Sequence, residues 1–233
     1  MGAAKRENIP PVSPEDSSST PESLNVSRSR GRPVGQSEDS TADELTKIIS
    51  LPDRRTRQGL RDYAVLLAFL NTPMRKGELV RLKVGNVIDE KTETFITYEG
   101  LKKRSKKKYW LKIPIEREVF DGIVRYIKSE YGARRLKASE PLFYTLGKHG
   151  PYQRRPITPW AIDLIVQKYV RLAQIQKRIT PHSFRASYLT LRESEPIGAL
   201  LGLSGHASAQ GITPYLRASQ EKKRKAAGRY SFS

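Results

Sequence analysis

The stretch ITPHSFRASYLT, residues 179–190, combines a helix start signal with two side chains that suit phosphate chemistry. Pro181 stands where a helix can begin, because the first turn does not need its missing N–H. His182 and Arg185 are three residues apart, so a helix over 181–192 would place them on one face. One helical turn would then present a proton carrier beside a permanently charged guanidinium group.

Two further segments carry residue types that complete this chemistry. TPMRKGELVRLK, residues 72–83, contains Arg75, and LSGHASAQGITPY, residues 203–215, contains His206 and Tyr215 nine residues apart. The chain has only three histidines, and two of them fall in these motifs. We expect the three segments to contribute to one site.

These side chains suit cleavage of a phosphodiester by a side-chain oxygen. Arg75 and Arg185 can donate bidentately to the negative charge that develops on the phosphate oxygens. A neutral His182 can take the phenolic proton of Tyr215 or return it, and attack by that phenol gives a covalent phosphotyrosyl intermediate. This reaction needs no metal and no cofactor. The sequence also lacks a carboxylate cluster of the kind a two-metal nuclease requires.

The leaving 5′-oxygen needs a proton, which a lysine can supply. The stretch LKKRSKKKYWLK, residues 101–112, offers six lysines and one arginine without an acidic residue. We expect one lysine to be the general acid and the others to bind backbone phosphates. The predicted phosphate contacts are Lys102, Lys103, Arg104, Lys107 and Lys108.

The charge of the chain predicts a polyanionic partner, double-stranded DNA. The sequence has 43 Lys+Arg against 24 Asp+Glu, a net charge of +19. Residues 1–40 carry five basic and six acidic side chains, a net of −1, so residues 41–233 carry +20 (19 + 1). The excess therefore belongs to the part expected to fold. A general solubilising charge is the alternative interpretation.

Cysteine content and hydropathy bear on the cellular compartment of the protein and on membrane association. The chain has no cysteine, which fits a reducing compartment. No apolar run approaches the roughly 18 residues of a membrane span, so no membrane partner is predicted. We expect a cytoplasmic, nucleoid-associated protein or, in a eukaryotic host, a nuclear one.

The periodicity of apolar residues predicts a mostly α protein with a small antiparallel β-sheet, an α+β fold. Thr41 and Glu44 fit a capping box at the start of the first helix. A third helix is expected from Arg75 through Leu79, Leu82 and Val84, and a hairpin within 93–114 that ends at Pro114. The other predicted helices cover 57–71, 116–131, 159–175 and 181–192, with two short helices bracketing His206 and Tyr215.

The predicted domain organisation has three parts. Residues 1–40 are Ser/Pro-rich and expected to be disordered, 41–225 form the catalytic domain, and 226–233 are a tail. Within the first part, RSRGRPVG at 28–35 resembles an AT-hook, an element whose arginines, here Arg30 and Arg32, enter a narrow minor groove. An ordinary linker that contains Arg and Pro is the alternative.

Together the motifs resemble those of the tyrosine recombinases, the phage-integrase family, over roughly residues 41–225. The family's T-G-x-R-x-x-E-L segment matches residues 72–79, with Pro73 where Gly is usual and Glu78 as the supporting acid. The H-x-x-R motif matches His182 and Arg185, and the L-G-H-like segment with its tyrosine nine residues later matches 203–215. The family's lysine stands eight residues before a strand-ending proline, which selects Lys106, with Lys102 and Lys103 still possible.

The resemblance implies the tyrosine recombinase catalytic-domain fold and site-specific recombination through a 3′-phosphotyrosyl link to Tyr215. It implies integration or excision of a mobile element, no cofactor, a hydrogen bond from His206 to the scissile phosphate, and self-association as a tetramer on DNA. Type IB topoisomerase-like relaxation and a non-catalytic DNA-binding protein are the alternatives.

One departure from the family concerns the region before the catalytic domain. Members usually carry a separate helical core-binding domain there, and residues 1–40 do not resemble one. The chain is either a natural minimal form or a fragment. In a minimal form, the RGRP element and the basic surface would partly substitute for the missing domain.

Overall fold

A computed structural model of the chain describes residues 40–101, 109–132, 137–146, 155–206 and 208–213. The described elements are seven α-helices, three strands and two short 3₁₀ turns. In chain order they are α1 (Ala42–Ser50), α2 (Arg57–Asn71), α3 (Lys76–Leu79), a 3₁₀ turn (Val84–Asn86), β1 (Val87–Glu90), β2 (Glu93–Glu99), β3 (Trp110–Ile115), α4 (Arg117–Tyr131), α5 (Pro159–Leu172), α6 (Pro181–Thr190), α7 (Ile197–Ser204) and a 3₁₀ turn (Ala209–Gly211). The predicted α+β class is therefore confirmed.

Helix α2 is the centre of the core. It contacts α1, α4, α5 and α6, and its buried side chains lie on nearly all sides of the helix. A helix that is buried almost all round must be enclosed by other elements. The apolar residues of α2 that have no exposed surface are Ala64, Val65, Leu66, Ala68 and Phe69.

Helix starts were the most predictable features. The capping box at α1 is confirmed, because the Thr41 Oγ accepts from the Glu44 N–H at 3.2 Å and the Thr41 N–H donates to Glu44 at 2.9 Å. Helix α5 begins with Pro159 after the N-cap Thr158, and α6 begins with Pro181 after the N-cap Thr180. Two helix ends differ from the prediction: α5 ends at Leu172 rather than 175 and α6 at Thr190 rather than 192.

The predicted third helix is much shorter than expected. Helix α3 ends at Leu79, so Leu82 and Val84 lie outside it. The backbone there bonds to a distant segment instead of extending the helix: the Leu142 N–H donates to the Leu82 carbonyl at 2.8 Å, and the Val84 N–H donates to the Glu140 carbonyl at 2.9 Å. Tertiary pairing has overridden a helical pattern of apolar residues.

The sheet is antiparallel in the order β1-β2-β3, with β2 in the middle. The predicted hairpin strands are confirmed as β2 and β3, but β3 continues through Pro114 to Ile115, with Pro114 opposite Phe95. Proline is tolerated there because β3 is an edge strand of the described sheet. Strand β1 was not predicted, since its four residues are too few to show alternation.

A buried charge network joins α2 to α5. The Asp62 carboxylate accepts from Arg61 at 2.6 Å, from the Tyr169 hydroxyl at 2.9 Å and from Lys168 at 3.3 Å. The Asp62 side chain is fully buried and that of Arg61 is 8% exposed. Several donors hold this buried carboxylate in place, and removing one partner of a buried ion pair lowers the free energy of unfolding.

No described helix is both long and apolar enough to cross a membrane.

We expect Asp62→Ala to lower the free energy of unfolding by about 3–5 kcal/mol, because it leaves the Arg61 charge buried without its partner. Urea unfolding followed by circular dichroism measures the change. Asp53→Ala is the matched control, since it breaks an exposed pair with Arg55 and should change stability little. Equal losses in the two variants would contradict the assignment of this network to the core.

Candidate active site

Arg75 stands at the N-cap of α3, and its side chain remains 38% exposed. The buried Glu78 carboxylate holds it from two directions, accepting from the Arg75 backbone N–H at 2.7 Å and from its guanidinium at 3.1 Å. The same carboxylate accepts from the Leu101 N–H at 2.9 Å, at the base of the β2–β3 connection. Glu78 therefore fixes Arg75 relative to the hairpin.

Arg185 lies on α6 and is almost completely buried, with 1% of its surface exposed. Its guanidinium donates to the Pro73 carbonyl and, at 2.8 Å, to the Ser204 carbonyl. Carbonyl oxygens orient a guanidinium without neutralising its charge. The unusual proline at position 73 is compatible with this contact, because the atom that Arg185 uses belongs to the backbone.

His206 follows α7 in a turn that glycine makes possible. Gly205 ends the helix with φ +66, in the left-handed region. The His206 Nδ1 lies 2.7 Å from the Ser204 Oγ, and its Nε2 lies 3.4 Å from the Arg185 Nη2. A Cβ at Gly211 would come within 2.8 Å of the His206 ring. The imidazole therefore packs closely against Gly211 while its two nitrogens contact Ser204 and Arg185.

A cavity of about 840 Å³ opens beside Arg75 and Arg185. Both arginines and His182 line it, together with residues of α5 and of the α5–α6 connection. Positive charge exceeds negative charge in its lining, which includes six Lys/Arg side chains and a single acid, Asp163. The basic residues that line it are Arg75, Lys76, Arg171, Lys177, Arg178 and Arg185.

His182 occupies the second position of α6 and lines this cavity. Burial lowers the pKa of its imidazole, and the positive charges of Arg185 and Arg75 lower it further. Each effect disfavours the charged form. His182 is therefore neutral at neutral pH, the form that can accept a proton.

The structure brings together four of the six predicted site residues. Arg75, His182 and Arg185 line the cavity, and His206 contacts Arg185. The other predicted positions lie outside the described residues and remain predictions: Lys106, Tyr215, Lys102, Lys103, Arg104, Lys107, Lys108, Arg30 and Arg32.

Several groups near the site carried no sequence signal. Ser204 supports both Arg185 and His206, through its carbonyl and its hydroxyl. Arg171 and Arg178 line the cavity and are exposed, and nothing in the sequence distinguishes them from the many other surface arginines of the chain. Within the described part of the chain, no group of His, Cys, Asp or Glu has the arrangement of a metal site.

Comparison with known proteins identifies the family. The profile of the phage integrase family matches residues 39–222, so the chain belongs to this family. The expected resemblance is thereby confirmed.

Individual relatives agree with this assignment. The tyrosine recombinase XerA of Pyrococcus horikoshii is 29% identical over 188 residues, which are 80% of this chain and 59% of the relative. The tyrosine recombinase XerD of Staphylococcus haemolyticus is 26% identical over 180 residues, 76% of this chain and 57% of the relative. The chain spans 44–59% of the length of the first curated relatives it matches.

Solved structures show the same fold. The crystal structure of XerA recombinase superposes with a TM-score of 0.63 at 21% identity, covering 84% of this chain and 66% of that one. The XerH site-specific recombinase in a post-cleavage complex with its difH substrate has a TM-score of 0.64 at 17% identity, covering 81% and 52%. The fold is that of the tyrosine recombinase catalytic domains.

We expect the His182 imidazole to titrate below its ordinary midpoint of about 6.5, so that it stays neutral as the pH falls through that value. Arg75→Met should raise the midpoint, because it removes a positive charge that opposes protonation. Proton–carbon NMR of the imidazoles measures both, and Arg125→Met on α4 is the control. A wild-type midpoint at or above 6.5 would contradict the described environment.

Proposed function

We propose that this protein is a site-specific recombinase that cuts and rejoins double-stranded DNA through a covalent 3′-phosphotyrosyl intermediate at Tyr215. The observation that carries the proposal is the convergence of Arg75, Arg185 and a neutral His182 on one basic cavity, in a chain of the phage integrase family. Two rigidly held guanidinium groups suit one phosphate better than any uncharged ligand.

In the proposed reaction, the scissile phosphate binds between Arg75 and Arg185. The Tyr215 oxygen attacks phosphorus while its proton passes to His182, and the bond from phosphorus to the 5′-oxygen breaks. A lysine of the 102–108 segment, with Lys106 the first candidate, protonates the leaving 5′-oxygen. Rejoining is the reverse, with the 5′-hydroxyl of a partner strand as nucleophile, so no metal or cofactor takes part.

His206 would supply a hydrogen bond to a non-bridging phosphate oxygen. Arginine has no acceptor, so the contact between the Arg185 Nη2 and the His206 Nε2 is a hydrogen bond only while Nε2 carries no proton, and the ring proton then lies on Nδ1, which donates to the Ser204 Oγ. A phosphate that takes over this Arg185 N–H would release Nε2 from accepting it. With the ring proton on Nε2 and the Ser204 hydroxyl donating to Nδ1, His206 would then donate to the phosphate.

Double-stranded DNA as partner is supported by the net charge of +19 and by the basic cavity. We further propose that the protein self-associates as a tetramer on DNA and acts in the cytoplasm on the nucleoid, or in a nucleus. XerH has been captured with its difH substrate after cleavage, and a Tn1549 transposon integrase with circular intermediate DNA. The transposon integrase complex supports integration or excision of a mobile element as the biological reaction.

The proposed nucleophile can be tested without a known target. Nicked duplexes of randomised sequence are incubated with the protein, and covalent adducts are recovered under denaturing conditions and sequenced. We expect the wild type to recover one family of sequences and Tyr215→Phe to recover none, because it lacks the attacking oxygen.

Tyr230→Phe is the matched control for this selection, since it removes another phenol from the same end of the chain. An adduct formed by Tyr215→Phe would refute the nucleophile. Adducts without sequence preference, together with relaxation of plasmids that lack the selected sequence, would favour a topoisomerase-like activity instead.

A second test addresses the DNA-binding surface. Replacing Arg171 and Arg178 by Gln should reduce the slope of log K against log salt by about 1.8, if each contacts one phosphate. Fluorescence anisotropy with a duplex across a salt series measures the slope. Arg125→Gln with Lys128→Gln removes two exposed charges from α4 and should leave the slope nearly unchanged. Equal reductions in the two double variants would show that the cavity has no special role in binding.

A further inference from the structure

The ring of Tyr109 rests directly on the α-carbons of two glycines from different parts of the chain. A Cβ added at Gly205 would lie 2.8 Å from the Tyr109 Cε2 and 3.1 Å from its hydroxyl oxygen. A Cβ added at Gly100 would lie 2.0 Å from the Tyr109 Cζ. Separations below 3 Å are not tolerated by close-packed atoms, so neither position can carry a side chain while the ring stays in place.

Tyr109 itself is anchored to the hairpin. The Gly100 N–H donates to the Tyr109 carbonyl at 2.9 Å, which continues the pairing of β2 with β3 toward the connection between them. The next residue in the chain, Trp110, begins β3. Leu111 of the same strand also approaches Gly205, with its Cδ1 3.1 Å from an added Cβ. The start of β3 and the residue before it therefore pack directly against the Gly205 turn.

The Gly205 turn connects two groups that contact Arg185. The Ser204 carbonyl, one residue before Gly205, accepts from Arg185, and His206 follows directly after it. The backbone at Gly205 is fixed by its N–H bond to Leu201 at 2.9 Å and by its positive φ. A shift of this turn would move His206 and the carbonyl that orients Arg185 together.

We propose that Tyr109 is a positioning residue for His206: its ring is the support on which the Gly205 turn rests, and through that turn it sets the direction of the imidazole. The proposal rests on the function proposed above. Tyr109 does not touch the reacting atoms in this account. It acts through the backbone of the Gly205 turn, while Gly211 packs directly against the His206 ring.

Ring carbons make the shortest contact with both glycines. An added Cβ at Gly100 would lie 2.0 Å from the Tyr109 Cζ and 2.3 Å from both its Cε2 and its hydroxyl oxygen, and at Gly205 the Cε2 at 2.8 Å is nearer than the hydroxyl oxygen at 3.1 Å. The aromatic ring provides most of the support. Tyr109→Phe should therefore keep the support, whereas Tyr109→Ala removes it and leaves space beneath the turn. Tyr63 is the matched control, because it is another partly buried tyrosine that packs against the core and contacts a glycine, Gly122.

The experiment combines imidazole NMR without DNA and single-turnover adduct formation on the duplex recovered by the randomised selection. Tyr109→Ala should change the His206 resonances and the tautomer ratio of its imidazole. It should also slow adduct formation at saturating DNA about tenfold to a hundredfold, because small misplacements of site groups reduce the rate of reaction. The affinity for DNA should be unchanged. Tyr109→Phe should match the wild type in both readouts. Tyr63→Ala should leave the His206 signals and the rate unchanged, even if it lowers the free energy of unfolding.

A double-mutant cycle with His206→Ala decides whether Tyr109 acts through the imidazole. We expect Tyr109→Ala to cause little further loss of rate once His206 is absent. An undiminished loss in that background, unchanged His206 signals in Tyr109→Ala, or equal rate losses in Tyr109→Ala and Tyr63→Ala would overturn the proposal. If the wild type forms no adduct, the proposed recombinase function fails, and the NMR comparison still decides the positioning role.

Discussion

The burial of Arg185 between two backbone carbonyls is the constraint on which the rest of the site depends. One guanidinium joins α6 to the Pro73 carbonyl before α3 and to the Ser204 carbonyl at the end of α7. Burying a charge is unfavourable unless it is well hydrogen-bonded. The three segments must therefore meet with little freedom, and their meeting places Arg75, His182 and His206 around the same point.

This arrangement explains why the site is built on backbone atoms as much as on side chains. Carbonyl groups hold Arg185 without cancelling its charge. The Glu78 carboxylate does compensate charge, and it contacts the Arg75 guanidinium and the backbone at the base of the hairpin. Positive potential is thus retained where an anion can bind, and it also lowers the pKa of His182. The same field favours phosphate binding and keeps the proposed base neutral.

The sequence predicted what depends on side-chain spacing and local chemistry. Capping residues and helix-starting prolines marked the starts of α1, α5 and α6, and the separation of His182 from Arg185 placed both on one helix beside the cavity. Features that depend on backbone contacts between distant segments were missed. The pairing of Leu82 with Leu142 shortened α3, and the carbonyl partners of Arg185 have no side-chain signature.

The packing around two glycines is a second feature that could not be predicted from the sequence. Gly205 was part of a recognised motif and its positive φ favours glycine locally, but the lack of room for a side chain there comes from Tyr109, which belongs to a different segment. Gly211 packs on His206 only because the turn after α7 brings the two together. Such requirements are set by the folded contacts, so they appear only when those contacts are known.

The central claim is that one phosphate, held by Arg75 and Arg185, is attacked by the phenol of Tyr215. A crystal structure of the protein covalently joined to its DNA measures this most directly. The account predicts a phosphate bonded to the Tyr215 oxygen, with its non-bridging oxygens about 3 Å from nitrogen atoms of both guanidinium groups. A phosphate joined to another residue, or one far from both arginines in every subunit, would contradict it.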